Sequence, residues 1–158
     1  MSEILSLNFQ NSYAPVSETS RVGMLGEEIA GRFLMKNGWR LVAANFKVPV
    51  GRTLNGVLVS GEIDLIALDA KDILRFVEVK TRSSDSFAAP IAAVGLRKQR
   101  QITRTARMYR KIFDLQKMSF RYDVVSIVLG KGAKPKIEIF ENFWNEDKFR
   151  KKFWSADF

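Results

Sequence analysis

The sequence predicts a single mixed α/β domain, and three observations carry that reading. The chain has 158 residues, enough to bury one sizeable core. Two separated segments carry apolar residues at helical spacing, and five short apolar or alternating runs bounded by turn residues lie between and after them. Their order is helix, three strands, helix, two strands, with no internal repeat and no dividing linker.

Residues 1–18 show no sustained period and contain Asn, Ser, Pro and Gln, which reads as a mobile or loosely docked N-terminal arm ahead of a domain over 19–144. Ser20 is the expected N-cap of the first helix, Val22, Leu25, Ile29 and Phe33 its apolar stripe, and Gly38 its stop. Residues 39–48 are rich in apolar and aromatic side chains and predict a strand, and 49–56 a loop or protruding hairpin. A strand interrupted by Gly61 follows over 58–68, then a turn over 69–72 and a strand over 73–81. A polar loop over 83–90 leads to a long helix from about Leu96 to Asp114. Two strands over 121–129 and 136–140 flank the turn at 130–132, and the tail, 145–158, mixes Phe and Trp with charge like a short amphipathic helix.

Two absences narrow the chemistry. No cysteine means no disulfide, thiolate zinc site or cysteine nucleophile, and no histidine removes Ser-His-Asp triads and imidazole ligands. Acid–base or metal chemistry must then run on carboxylates, lysines, hydroxyls and water, and an all-oxygen site favours Mg²⁺, Mn²⁺ or Ca²⁺. No apolar run is long enough to span a membrane, and the first residues do not have the build of a secretory signal, so the expected setting is the cytoplasm. The excess of 26 Lys and Arg over 17 Asp and Glu, a formal charge of +9, points to a polyanionic partner.

The most informative stretch is GEIDLIALDAKDILRFVEVKTR, residues 61–82. Strand alternation puts Glu78 and Lys80 on one face. A turn centred on Lys71 pairs Asp69 with Ile73, and counting back sets Asp64 opposite Glu78. Two carboxylates about 5 Å apart at Cβ repel one another, and in strands of Ile, Leu, Val and Phe a divalent cation is the simplest partner. The plainer reading is a salt-bridged Asp/Glu/Lys network on a sheet face. An acidic-x-Lys triplet also occurs at 69–71 and 146–148, but only Glu78-x-Lys80 lies within a strand with a second carboxylate in register.

Three blocks in this order, GMLGEEIA at 23–30, GEIDLIA at 61–67 and FVEVKTR at 76–82, resemble the UPF0102 (YraN-like) family. The likeness continues through FAAP at 87–90, RKQR at 97–100, RYDVV at 121–125 and residues 137–143, covering roughly 21–143. That family is similar to archaeal Holliday-junction resolvases. The resemblance implies a PD-(D/E)xK restriction-endonuclease-like fold, a central mixed sheet flanked by helices. It also implies a catalytic motif at Asp64, Glu78 and Lys80, with the Val79 carbonyl as a further metal ligand. Glu27 then matches the acidic residue that the first helix supplies in related resolvases, and the helical wheel places it nearer the apolar arc than Glu28. Two departures stand out: residues 49–60 form a longer connection than usual, and alanine replaces glycine in the 87–90 block.

Along the second helix Arg97, Arg100, Arg104, Arg107 and Lys111 form one basic stripe, while Ile102, Ala106, Tyr109 and Phe113 form the opposite apolar one. No acidic residue within the helix pairs with this stripe, so it is expected to track a phosphate backbone. Lys98 falls on the inward stripe, where it can point at the metal site, Gln99 stands beside it, and both are expected to join the stripe in binding nucleic acid. Trp144, Phe149, Phe153 and Trp154 are expected to stack on bases or to dock on the chain's own core or the partner subunit of a homodimer. The expected function is Mg²⁺- or Mn²⁺-dependent hydrolysis of nucleic acid, DNA before RNA, with branched DNA among the candidate substrates. The alternatives are a non-catalytic nucleic-acid-binding protein that keeps the same fold and a protein-interaction scaffold.

Overall fold

Ser17 starts the first helix: its hydroxyl accepts from the Ser20 amide and its extended backbone turns the chain into α1, Glu18–Lys36. The cap thus lies three residues before the expected Ser20. The structure, a computed structural model, describes residues 16–83 and 94–150. The arm at 1–15, the 87–90 block, Phe153 and Trp154 lie outside them. At the other end Asn37 caps α1 and Gly38 follows with φ +83°, the left-handed turn a helix stop requires.

The buried face of α1 is Gly26, Ala30, Gly31 and Leu34, with Ile29 and Phe33 at its flank and Leu25 47% exposed. This departs from the stripe expected through Val22, Leu25, Ile29 and Phe33. The reason is size: small residues let the helix press on the sheet, so the larger ones sit beside the contact rather than in it. A Cβ on Gly26 would fall 1.7 Å from Thr81 Oγ1.

Five strands form one sheet in the order β1 (Arg40–Arg52), β2 (Leu58–Leu68), β3 (Leu74–Ser83), β4 (Phe120–Leu129) and β5 (Lys136–Trp144). Only β3 and β4 run parallel, and α2 (Leu96–Ile112) forms their crossover. The mixed α/β order is the expected one. Three boundaries differ: β1 continues through Pro49 to Arg52, β5 continues to Trp144, and α2 stops at Ile112 with Asp114 at φ 54°. Gly61 does not interrupt β2, which pairs with β1 through that point. It is glycine because α2 comes close: a Cβ there would lie 1.9 Å from Thr105 Oγ1.

The helices cover opposite faces of the sheet. Ala30 and Leu34 of α1 pack with Leu65, Val77, Val79, Val125 and Ile127. Ile102, Ala106 and Tyr109 of α2 pack with Ile63, Ile66, Phe76, Tyr122 and Trp144. The tail begins with a short 3-10 helix, Glu146–Phe149. Trp144 stacks on Tyr122 with ring centroids 4.8 Å apart and donates to Thr103 Oγ1, and Phe149 packs against the same cluster. Of the two roles open to the aromatic tail, these two residues take docking on their own core.

Candidate metal and nucleic-acid site

Glu78 lies on β3, at the centre of the sheet, and its side chain is 2% exposed. Lys80, two residues on and therefore on the same face, brings Nζ to 2.7 Å from Glu78 Oε1. From the first turn of α2, Lys98 brings its Nζ to 3.5 Å from Oε2. Oε2 itself is buried without a hydrogen-bond partner among the described residues. Lys98 thus points at the acidic cluster, as its place on the inward stripe suggested.

Asp64 approaches from β2. The β2–β3 register pairs Leu68 with Leu74 and Leu65 with Val77, as the expected turn requires, and the next step would place Asp64 across from Glu78. The ladder stops there. Strict alternation also breaks at Asp64, for Ile63 and Ile66 share the α2-side cluster while Leu65 belongs to the α1 side. On the neighbouring strand Asn45 takes φ 51° at the same level, between the pairs Ala44–Leu65 and Phe46–Ile63. The departure from a flat register turns the Asp64 side chain toward β3, where Oδ2 accepts from the Val79 N–H at 2.8 Å.

The Leu74 N–H bonds to Ser119 of the β4 side, so alternate residues of β3 aim their backbone at β4, and Val79 aims its N–H and C=O at β2. The carbonyl of Val79 therefore lies on the β2 side of β3, at the fork where the two strands part. Burial, then the nearby Glu78 carboxylate, pushes the Asp64 pKa up to about 7. Burial also raises Glu27 on α1, helped by Glu62 and Glu78 and opposed by a hydrogen bond with Asn45 and by Lys98. Glu27 is thus within electrostatic reach of the cluster.

These residues fit a hard cation. A buried carboxylate oxygen that makes no hydrogen bond, a second carboxylate whose pKa burial and a neighbouring carboxylate raise, and a backbone carbonyl on the same edge of β3 are oxygen donors of the kind Mg²⁺ or Mn²⁺ takes. Among the described residues no group of three or more acidic side chains is close enough to close around an ion. Asp64, Glu78 and the Val79 carbonyl would fill part of the shell and leave the rest to water or phosphate.

Beside this cluster a cleft of about 690 Å³ lies between the β1–β2 hairpin and the start of α2, lined by Val50, Val59, Arg97, Lys98, Arg100 and Arg104. Gln101 ties its two walls, donating to the Ser60 carbonyl at 3.0 Å. Lys98 belongs to both places: it lines the cleft and pairs with Glu78.

The basic stripe is exposed from Arg97 to Lys111, but it is not uniform. Arg107 Nε lies 3.5 Å from Glu146, which the tail folds back against α2, and Arg100 stacks over the Phe149 ring. No acidic residue within the helix pairs with the stripe, as expected, but Glu146 of the tail supplies a partner from outside it. Gln99 departs further from its expected place on a nucleic-acid surface. It is 7% exposed, donates to the Val94 carbonyl and accepts from Lys148, so it braces the helix start against the tail. Asn45 and Glu146 escaped the sequence reading. An Asn inside a strand run is a signal for left-handed backbone, but nothing local ties Glu146 to α2.

Fold and site together define a mixed α/β domain with a half-buried Asp/Glu/Lys cluster, centred on the buried Glu78, at a strand fork beside a basic cleft. The sequence profile described as "Uncharacterised protein family UPF0102" matches residues 26–127. UPF0102 proteins from Trichlorobacter lovleyi, Alkaliphilus metalliredigens and Solibacter usitatus are 36%, 39% and 42% identical to this chain over 77%, 72% and 73% of its length. The matches cover 87%, 90% and 80% of those proteins. The chain belongs to the UPF0102 family. Among the described residues, no helix is long and apolar enough to cross a membrane.

Proposed function

We propose that the protein is a metal-dependent endonuclease that binds DNA in the basic cleft and hydrolyses a phosphodiester at the fork. The observation that carries this reading is that Lys98, which lines the cleft, also pairs with Glu78 beside Asp64, where one carboxylate oxygen is buried without a hydrogen bond. The strand order and the position of the acidic pair support a PD-(D/E)xK restriction-endonuclease-like assignment, the fold that the family resemblance implies. Asp64, Glu78 and the Val79 carbonyl would hold Mg²⁺ or Mn²⁺, and the bound ion would polarise the phosphate and lower the pKa of a water.

The protein's own groups do the rest. Val79 N–H fixes Asp64 in place, and Glu78 holds the Lys80 ammonium at 2.7 Å, where it can stabilise charge developing on the phosphate. Lys98 reaches from the cleft to the same carboxylate and sets the backbone against the cluster. Glu27, its pKa raised by burial, borders the cluster from α1 and takes up protons more readily than an ordinary glutamate.

One observation favours a second reading: Lys80 and Lys98 already balance Glu78 without a cation, as a non-catalytic nucleic-acid-binding protein would require. Two measurements separate them. Linear, nicked and four-way-junction DNA incubated with Mn²⁺ should be cut, with EDTA or Asp64→Asn abolishing the cut. Titration calorimetry should show Mn²⁺ binding that Asp64→Asn weakens at least about tenfold, about 1.4 kcal/mol. DNA binding without cleavage, with equal Mn²⁺ binding by both proteins, would establish the non-catalytic reading.

A further inference from the structure

Because β2 leaves β3 after Leu65, residues 58–64 pair with β1 alone. They and their partners form a two-stranded ribbon that runs about 20 Å past the third strand. The ribbon is braced at its base, where Gln101 donates to the Ser60 carbonyl and Gly61 lies against Thr105. Its tip is closed by its own bonds. The Thr53 amide donates to the Val57 carbonyl at 2.8 Å, and the Arg52 guanidinium donates to the Gly56 carbonyl at 2.8 Å.

Among the described residues, nothing packs over the apolar side chains at this tip. Leu54 is 107% exposed, Val57 62% and Leu58 51%, and none belongs to either core cluster. Leu54 and Asn55 are the central residues of a turn closed by the Gly56 amide on the Thr53 carbonyl at 2.9 Å, and the Leu54 side chain takes no part in it, so a polar residue at position 54 would serve the turn equally well. Between Val48 and Gly61 the one charged residue is Arg52, at the foot of the turn; Lys47, farther from the tip, pairs with Glu62 across the ribbon at 3.3 Å. The ribbon also forms one wall of the cleft whose other wall is the basic start of α2.

We infer that the ribbon tip is a wedge: it sets Leu54 and Val57 against exposed base faces, so the preferred ligand is DNA in which a duplex adjoins unpaired bases. The inference rests on the nucleic-acid reading of the cleft and adds the feature of the ligand that is selected. Aliphatic side chains offer bases no hydrogen bonds, so they cannot read a sequence, but they fill the gap left by an opened base step. Arg52 at the foot of the turn and Arg97, Arg100 and Arg104 on the facing wall of the cleft suit the backbone that leads to the tip. A tip built to read the edges of a closed duplex would carry Arg, Asn or Gln at 54 and 57 in place of Leu and Val.

The test uses the full chain, in EDTA so that nothing is cut, and three labelled DNAs of one sequence: a blunt duplex, a single strand, and a fork with unpaired tails. Fluorescence anisotropy should show the fork bound about tenfold tighter than the duplex. Leu54→Ser/Val57→Ser should lose that preference while binding the blunt duplex as before, with an unchanged melting temperature showing that the fold survives. A 2-aminopurine at the last base pair of the fork should brighten with wild type and stay quenched with the variant. Equal binding of all three DNAs by wild type, or a variant that keeps the fork preference, overturns the wedge and leaves the cleft reading standing. Failure to bind any of them at low salt overturns both.

Discussion

At Asp64 the folded chain favours the neutral acid: burial and then the Glu78 carboxylate push its pKa up to about 7, against about 3.9 in an unfolded chain. Between those values the folded state binds the extra proton, so this group's contribution to stability falls as pH rises from about 4 to 7. Asp64→Asn keeps an acceptor for the Val79 N–H and removes the charge. Its melting temperature should exceed that of wild type at pH 8, by about 2–4 °C for each kcal/mol of relief, and match it at pH 4. Mn²⁺ should raise the wild-type value at pH 8 and lose that effect at pH 5, where Asp64 is protonated. Identical pH curves for variant and wild type would show that Asp64 is an ordinary surface carboxylate. The sequence made the Asp64–Glu78 approach legible because a short turn fixes a hairpin register. It did not show the break in alternation at Asp64, since that depends on Asn45 of another strand.

On α2 the two faces could be read from the sequence, because 3.6-residue periodicity separates Ile102, Ala106 and Tyr109 from the exposed arginines. What could not be read is which arginines the tail engages, a contact between residues nearly forty positions apart. Arg97 and Arg104 line the cleft and Arg100 faces it from beneath Phe149, whereas Arg107 is turned to Glu146. Replacing Arg97, Arg100 and Arg104 together by Ala should weaken duplex DNA binding at every sequence. It should also flatten the slope of log K against log salt by up to roughly 3 units. Arg107→Ala alone should move the slope by well under one unit. The helix should persist in both, because alanine is a strong helix former and the apolar face is untouched. A triple variant with the wild-type slope would place the backbone track elsewhere.

Across the whole molecule, the end of the sheet away from the ribbon is tied by one buried arginine. Arg75 on β3 bonds to Asp69 at the end of β2, to Asp123 on β4 and to Glu141 on β5, and its guanidinium lies 4.9 Å from the Trp39 ring just before β1. Asp69 and Asp123 are 7% and 0% exposed, so removal of the cation leaves two buried carboxylates unpaired. Arg75→Ala should therefore cost about 3–5 kcal/mol in urea unfolding at pH 7. A cost below about 1 kcal/mol would mean that the hydrogen bonds from Ile73 and Asn142 satisfy these acids without it. Nothing in the local pattern around Arg75 announces this role. It arises because the parallel β3–β4 pair brings together residues 48 positions apart.

The early end of the β2–β3 ladder makes ribbon length a free variable of this architecture. Outward of Ser60 no third strand among the described residues records how many residues each arm contains. Matched insertions or deletions in both arms would slide the tip nearer to or farther from the fork while Phe46 stays paired with Ile63 and Asp64 stays on Val79. An unmatched single deletion would instead shift one arm by a residue and exchange its two faces. Reach and chemistry are in this way uncoupled: the domain can lengthen or shorten its arm without touching the carboxylates.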